Sequence, residues 1–339
     1  MMKSWMAAAC AAALALLVGL APDVALAQTV TLKFGTVIPP GDNPELNAIA
    51  AFKRQVEAQT KGAVKVEIFP GGQLGGGGRA AIEAVQQGVA DLYLSSDADF
   101  AGFHAQVQLL SAPYLFDDAN AAWSFFASPF AARLGEEIRE RTGVRTLTMA
   151  ELGFRSFTSS KRLFVKPADA KGLRIRVQES QIYLRMIEAL GASPTPIPST
   201  ELLMALKQGV VDGAENALSV IHDFGMADVQ KYVTINEHVM GVLFIIMNDE
   251  TYAKLAADQR KAVDEAAAEL GKVVREQKAA RKADYIQKIR AKGVEVHEST
   301  PAEKAAFKAV MQKPVLDYLL GRFGRARVEE LLAAANGKS

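Results

Sequence analysis

Short runs in which apolar and polar residues alternate, separated by longer stretches with helical spacing, organise the chain from residue 30 onward. VTLKFGTV at 30–37 predicts a strand and is followed by a helix pattern near 44–60. VKVEIF at 64–69, a helix pattern near 79–87 and ADLYLS at 90–95 continue the series. This order predicts an α/β lobe with a largely parallel sheet. Strand patterns recur at 144–149, 173–178, 195–197, 211–214 and 242–247 with helical patterns between them, which predicts a second α/β lobe. Val242–Met247, VLFIIM, is a continuous apolar run of the length of a buried strand. In GLRIRV the two-residue period puts Leu173, Ile175 and Val177 inward and Arg174 and Arg176 on the other face, which either solvent or a ligand can meet.

From Tyr252 to Arg290 the chain is rich in Ala, Lys, Glu and Arg and has no proline, which predicts one long or kinked helix. A coiled coil is the weaker alternative, because the apolar positions keep no strict heptad. Thr300-Pro301-Ala302-Glu303 combines a capping threonine, proline at the first helical position and glutamate at the third, so a helix starts there. No internal repeat of solenoid period is present.

The N-terminus changes the picture of where the chain works. Lys3, an apolar stretch from about Ala7 to Leu20 and Ala25-Leu26-Ala27 before Gln28 form an export signal with cleavage expected after Ala27. The apolar stretch is shorter than the roughly 20 residues of a spanning helix, so stable membrane insertion is not expected. Lipid attachment at Cys10 is the weaker alternative, since no leucine precedes Ala7-Ala8-Ala9. Cleavage after Ala27 removes Cys10, the only cysteine, leaving a product without disulfide, thiolate nucleophile or cysteine metal ligand. Residues 28–339 exceed the comfortable size of one core, roughly 250–300 residues, and suit two lobes. A net charge of +1 argues against nucleic acid or an anionic membrane as principal partner.

Motifs for catalysis are weak. Gly71-Gly72-Gln73-Leu74 and the glycines at 75–78 precede Arg79 without the G-K-[ST] of a phosphate loop, and the extra glycines suggest backbone flexibility. His104, His222, His238 and His297 are far apart and form no metal spacing. There is no G-x-S-x-G elbow. No cofactor or metal is expected, and the protein is read as a non-enzyme.

Three strings stand in order between Gly172 and Asn216: GLRIRV, GASPTP and ALKQGVVDGAEN. With LKFGTV near 32, FP and QLG around the glycines, PYLF at 113–116, GFR at 153–155 and DVQKY at 228–232, they resemble the DctP-like solute-binding proteins of TRAP (tripartite ATP-independent periplasmic) transporters across essentially the whole exported chain. The resemblance implies a type II-like, two-lobe periplasmic binding protein with a ligand cleft between lobes and a long helix spanning them. Lobe I would comprise 28–152 plus 242–280, with 242–247 crossing back into it. Lobe II would comprise 153–241 plus 281–339.

The same resemblance implies capture of an organic acid by hinge closure and its delivery to a TRAP membrane permease. The ligand could be a sugar acid or a dicarboxylate. Arg176 is the position that holds the ligand carboxylate in such proteins, through a planar donor fork that lysine cannot reproduce. Asn216 would bond the same carboxylate, and Arg155 would add a second cationic contact. Arg174 is left structural or exposed. Thr36, Val37, Ser95, Ser96 and Asp97 would supply contacts from lobe I. Two departures stand out: Ala217 replaces the proline that usually follows the asparagine, and Ser199 stands where many relatives stack a phenylalanine over the ligand. Ser199 implies a wider or more polar pocket, unless Phe154, Phe224 or Tyr183 fills the space. His238 is read as structural. A binding protein that feeds a sensor or chemoreceptor, and an exported enzyme on the same lobes, are the rival readings.

Overall fold

The computed structural model describes residues 29–337; the expected export signal and Cys10 lie outside them. Strand β1 (Val30–Thr36), helix α1 (Pro44–Gln59), β2 (Val64–Phe69), α2 (Arg79–Gln86) and β3 (Leu92–Ser96) alternate as their periods predict. Two short 3-10 segments, Asp97–Phe100 and Ala105–Ser111, lead to α3 (Ala119–Phe126), α4 (Pro129–Thr142) and β4 (Val144–Ser159). The second group is β5 (Arg174–Val177), α5 (Gln181–Ala189), β6 (Ser193–Pro196), α6 (Leu202–Lys207), β7 (Gly213–Ala217), α7 (Leu218–Asp223) and β8 (Tyr232–Ile235). Then come β9 (Met240–Asn248), α8 (Asp249–Lys254), α9 (Ala257–Ala291), β10 (Glu295–Glu298), α10 (Pro301–Phe323) and α11 (Arg325–Ala335).

The 16 residues of β4 and the nine of β9 tie two lobes together. β9 is buried at every position, as its unbroken apolar run requires, and lies antiparallel between β3 and the first part of β4. That places it beside the parallel set β2-β1-β3. Past an irregularity between Glu151 and Gly153, β4 leaves that sheet and pairs antiparallel with β7 and β8, while β5 joins β6 and β7 in parallel. Gly153, at φ 110°, takes a conformation there that side-chain-bearing residues avoid.

Helix α9 has 35 residues, about 52 Å at 1.5 Å each, enough to run along both lobes. It is not the single helix from 252 expected from composition: Leu255 is extended and buried, and Ala256 restarts the chain into α9. Its buried residues fall into two sets, Val263, Ala266 and Leu270 near one end and Tyr285, Ile286 and Ile289 near the other, so it packs as a strap on two partners and not as a coiled coil. Between them Lys278 makes a buried ion pair with Glu45 of α1 at 2.6 Å and donates to Ser219 of α7 at 2.8 Å, joining helices of both lobes behind the connecting strands.

Thr300 caps α10 as the sequence predicts: the Glu303 N–H donates to its Oγ1 at 3.3 Å, and the Thr300 N–H donates to Glu303 Oε2 at 2.7 Å. Helix α10 packs on α5, whereas α11 turns back onto α3 and α4, where Arg327 pairs with Glu137 at 2.8 Å. The C-terminal residues therefore touch both lobes, although the division expected from sequence assigned 281–339 to the second alone.

The strand expected at 211–214 runs instead over Gly213–Ala217, so Glu215 and Asn216 belong to the sheet. Gly213 opens it because a methyl there would be driven into the Thr158 carbonyl and lie 3.2 Å from Ser159 Cα on β4. Gly213→Ala should lower stability by about 1–3 kcal/mol through this overpacking, seen as a lower denaturant midpoint; an unchanged midpoint would refute the close approach.

Candidate functional site

The carboxyl ends of β1 and β3 face those of β5 and β6 across a cleft, the position where open α/β sheets bind ligands. On the first rim, the glycine-rich segment is tied to the end of β1 by the N–H groups of Gly71 and Gly72, which donate to the carbonyls of Ile38 and Thr36, each at 2.8 Å. Its conformation explains the extra glycines, since Gly72, Gly75, Gly76 and Gly78 all have φ between 62° and 77°. They also admit the opposite lobe: a Cβ on Gly72 would stand 3.2 Å from Thr200 Cγ2, and one on Gly78 would stand 3.4 Å from Glu179 Oε2. Gln178 of the second lobe donates to Ser96 Oγ of the first at 3.0 Å, so the cleft is closed.

Arg176 is fully buried. Its Nε donates to the Ile197 carbonyl at 2.8 Å and Nη2 reaches Ser199 Oγ at 3.4 Å, but Nη1 is buried with no protein partner. No carboxylate pairs with it among the described residues. Burial lowers its pKa to about 10, with attraction from Glu215 opposing the shift and repulsion from Arg155 adding to it. A cation kept from water without an ion-pair partner is costly, and an anion supplied from outside relieves that cost.

Arg155 is equally buried but differently answered. Its Nε and Nη2 form a fork on the Glu215 carboxylate, the Nη2–Oε1 arm measuring 2.8 Å, and its guanidinium lies 5.1 Å from the centroid of the Tyr183 ring. Burial alone would raise Glu215, but the attraction of Arg155 and hydrogen bonds from His238 and Arg155 hold it below the ordinary glutamate value. His238 is stacked on Phe157 and kept neutral by burial; its Nε2 lies 3.3 Å from Glu215 and its Nδ1 2.8 Å from Asn236. The charge of Arg155 is thus neutralised within the protein, although its Nη1, like that of Arg176, is buried without a protein partner. Glu215 went unassigned in the sequence, although it directly precedes Asn216; a sequence separation of 60 positions hides the pairing.

Asn216 lies opposite Ser156 on β4 and so shares its sheet face, while Arg155 and Glu215 point to the other. Its Oδ1 accepts from the Ala217 N–H at 3.0 Å, which leaves the amide nitrogen for another partner. Thr36 is buried, and its Oγ1 accepts from the Ile38 N–H at 3.2 Å; Val37 stands against Gly77. Ser199 is half-buried beside Arg176, and the Tyr183 ring lies against the Arg155 guanidinium. Phe154 points elsewhere, into the hinge cavity described below. Arg174 is half exposed and paired with Asp212 at 2.8 Å.

Acidic groups occupy the first-lobe side. Asp97 is buried and accepts from Ser111 and, at 3.1 Å, from Ser96. Burial raises its pKa against the pull of these bonds and of Arg155. Asp99 keeps some contact with solvent and accepts from Ser95 Oγ at 2.7 Å and the Ser96 N–H at 3.0 Å; burial raises it to about 6. Asp99, Gln178, Ser111 and Tyr183 were not singled out as site residues in the sequence, because no spacing links them.

A cavity of about 480 Å³ lies behind the connecting strands, between β4, α7 and α9, lined by Glu151, Phe154, Ser156, Ser219, Lys278 and Tyr285 among others. It does not contain Arg176. Glu151 in its wall accepts from Trp123 Nε1 at 2.9 Å. Among the described residues no cluster of three or more His, Cys, Asp or Glu could hold a metal, and no helix is long and apolar enough to cross a membrane.

Residues 34–320 match the family model described as bacterial extracellular solute-binding protein, family 7. A solute-binding protein of Verminephrobacter eiseniae is 34% identical over 290 residues, 85% of this chain and 84% of its own. The C4-dicarboxylate-binding periplasmic protein DctP of Rhodobacter capsulatus is 31% identical over 312 residues, 91% of this chain and 92% of its own. Among solved structures, the sugar acid binding protein DctPAm of Advenella mimigardefordensis, in complex with galactonate, superposes with a TM-score of 0.87 at 28% identity, covering 92% of this chain and 99% of its own.

Two measurements check the electrostatics. Glu215→Gln should cost about 3–5 kcal/mol of stability by leaving Arg155 buried without its counter-charge, while Arg155→Met combined with Glu215→Leu should cost less than the single change. A double variant no more stable than Glu215→Gln would refute the pairing. Asp99 binds its proton up to about pH 6 in the folded chain against an ordinary value of 3.8, so the folded state holds more protons in that window. Its contribution is most favourable at the acid end and is lost as pH rises through about 6. Asp99→Asn should therefore gain stability relative to the wild type between pH 4 and 7, in unfolding titrations at each pH.

Proposed function

Since the chain belongs to the bacterial extracellular solute-binding proteins of family 7, we propose that it binds one carboxylate of an organic acid through Arg176 and presents the closed complex to a TRAP-type membrane permease. The observation that carries this reading is the buried Arg176 Nη1, which has no protein partner beside Nε and Nη2 that do. The Asn216 amide nitrogen and the Ser199 hydroxyl add neutral bonds to the same carboxylate, and Arg155 acts through its charge without direct pairing. Thr36, Val37, Ser96 and Asp97 meet the ligand from the first lobe. The lobes divide where β4 and β9 leave the first sheet, and closure about that point removes the ligand from water.

The named activities of similar proteins support an acid as ligand: DctP of Rhodobacter capsulatus is named for C4-dicarboxylates, and DctPAm of Advenella mimigardefordensis was crystallised with galactonate. Residues 28–339 work in the periplasm after removal of the export signal, and the protein releases its ligand unchanged. Its role is capture and delivery.

Protein unfolded and refolded to remove any co-purified solute should gain thermal stability with particular acids and none with uncharged analogues. A ligand at a thousand times its Kd adds about 4.1 kcal/mol. Arg176→Lys should weaken binding of any such acid by about 2–5 kcal/mol in calorimetry, because an ammonium cannot present two parallel donors in a desolvated site. Unchanged affinity, or recovery of the acid chemically altered, would overturn the reading.

A further inference from the structure

A second set of unanswered polar groups lies away from the cleft, in the cavity of about 480 Å³ behind the connecting strands. That volume falls in the range of small-molecule sites, roughly 300–1,000 Å³. The wall is drawn from both sides of the hinge: Asp117 and Glu151 come from the first lobe, Ser156 and Ser219 from the second, and Lys278 and Tyr285 from α9. Asp117, Asp118 and Lys282 are exposed, which places them toward its mouth, whereas Glu151, Ser156, Ser219 and Lys278 are buried. Leu152, Phe154, Leu218, Ile235 and Met240 supply an apolar surface between them.

The charges of this wall do not balance. Four carboxylates line it, those of Asp117, Asp118, Glu151 and Glu237, against the two ammonium groups of Lys278 and Lys282, and both ammonium groups are already engaged. Lys278 is held by Glu45 at 2.6 Å and Ser219 at 2.8 Å, and Lys282 by Glu237 at 2.7 Å. Glu237 is paired a second time, with Lys304. Neither lysine pairs with Glu151, which is 6% exposed and whose Oε2 accepts from Trp123 Nε1 at 2.9 Å. Arg275, the other base that acts on it, lies 5.0 Å from the centroid of the Trp123 ring and donates to Asn120 at 2.8 Å. Burial raises the Glu151 pKa against the Trp123 hydrogen bond and the more distant pull of Lys278 and Arg275. Ser156 is a second, independent group in the same wall: it is fully buried, and its Oγ has no hydrogen-bond partner in the protein. A carboxylate and a hydroxyl buried in this way are costly, and both accept hydrogen bonds. An anion would add to the excess of carboxylates, and a purely apolar molecule would leave Glu151 unanswered.

We propose that this cavity is a second binding site, separate from the cleft, which takes a small organic cation: a primary ammonium paired with Glu151, carried on an apolar body that lodges against Leu152, Phe154 and Met240. The site stands whether or not Arg176 anchors an acid. Its occupant would touch both lobes at the point about which they close.

Calorimetry on residues 28–339 in amine-free phosphate buffer tests it with two probes of one shape, benzylammonium and benzyl alcohol. Benzylammonium should bind saturably and about tenfold or more tightly than the alcohol, as a charge-assisted bond in a buried site requires. Glu151→Gln, nearly isosteric, should weaken benzylammonium by about 30-fold, the smaller end of the loss when one partner of a buried charge pair is removed, and should leave benzyl alcohol little changed. Crystals soaked in 4-bromobenzylammonium should show the bromine anomalous signal beside Leu152, Phe154 and Met240. Absence of saturable benzylammonium binding, an affinity equal to that of the alcohol, indifference to Glu151→Gln, or bromine found only in the cleft would each overturn the inference. If Glu151→Gln does not fold, the wild-type ranking of the two probes and the bromine position decide it.

Discussion

Arg176 is enclosed by protein with two of its donor groups engaged by neutral acceptors and none by a carboxylate, and the arrangement of the cleft follows from that imbalance. Burying a guanidinium is tolerable when a partner carboxylate comes with it, as Glu215 does for Arg155. The two arginines share burial and differ in this one respect. The Arg155 pair, braced by His238 and Tyr183, is part of the fabric of the second lobe. Arg176 is held in orientation by the Ile197 carbonyl and has no carboxylate partner among the described residues.

Placing such a group where a solute can reach it requires a backbone that hinges without losing register. β4 and β9 provide it, each continuous through the boundary and paired with the other, with the irregularity at Glu151–Gly153 allowing β4 to change sheets. α9 and the Lys278–Glu45 pair brace the rear of the same boundary. On the cleft side the glycine-rich rim meets Thr200 of the second lobe at a distance that leaves little room for a side chain on Gly72. Glycine there serves close approach of the lobes as well as turning.

Much of this was legible in the chain. The two-residue period located most of the strands, the unbroken VLFIIM run identified a strand buried on both faces, and Thr300, Pro301 and Glu303 marked the start of α10. Resemblance brought Arg176 and Asn216 to notice, since an arginine on an alternating strand reads equally as solvated or ligand-facing. What stayed hidden depends on contacts between distant residues or on weak local signals. Glu215 cancels Arg155 only because β4 and β7 are neighbours. β8 and β10 are only four residues long, and β10 has one apolar residue and a single neighbour, so neither carries much of a period. The break at Leu255 is a matter of one buried side chain in a segment whose composition favours helix throughout.

If Arg176 anchors the acid as proposed, the same cation couples ligand to closure. In an open cleft water solvates Arg176, and closing without an anion strips that water with only neutral acceptors in return. Closing around a carboxylate strips it in exchange for charge-assisted bonds that strengthen as the local dielectric falls. The acid therefore interacts far better with the closed form than with the open one, and a ligand shifts a two-state equilibrium only by such a difference. Moving a population from 1:99 to 99:1 takes about 5.5 kcal/mol of differential binding, a magnitude that the desolvated pairing of one guanidinium with one carboxylate approaches. An arginine whose charge is already matched by a carboxylate, as Glu215 matches Arg155, would supply less of this coupling, since closing the cleft leaves no unmatched charge there. On the proposed role of Arg176, leaving its charge without a protein carboxylate is what would let closure report occupancy.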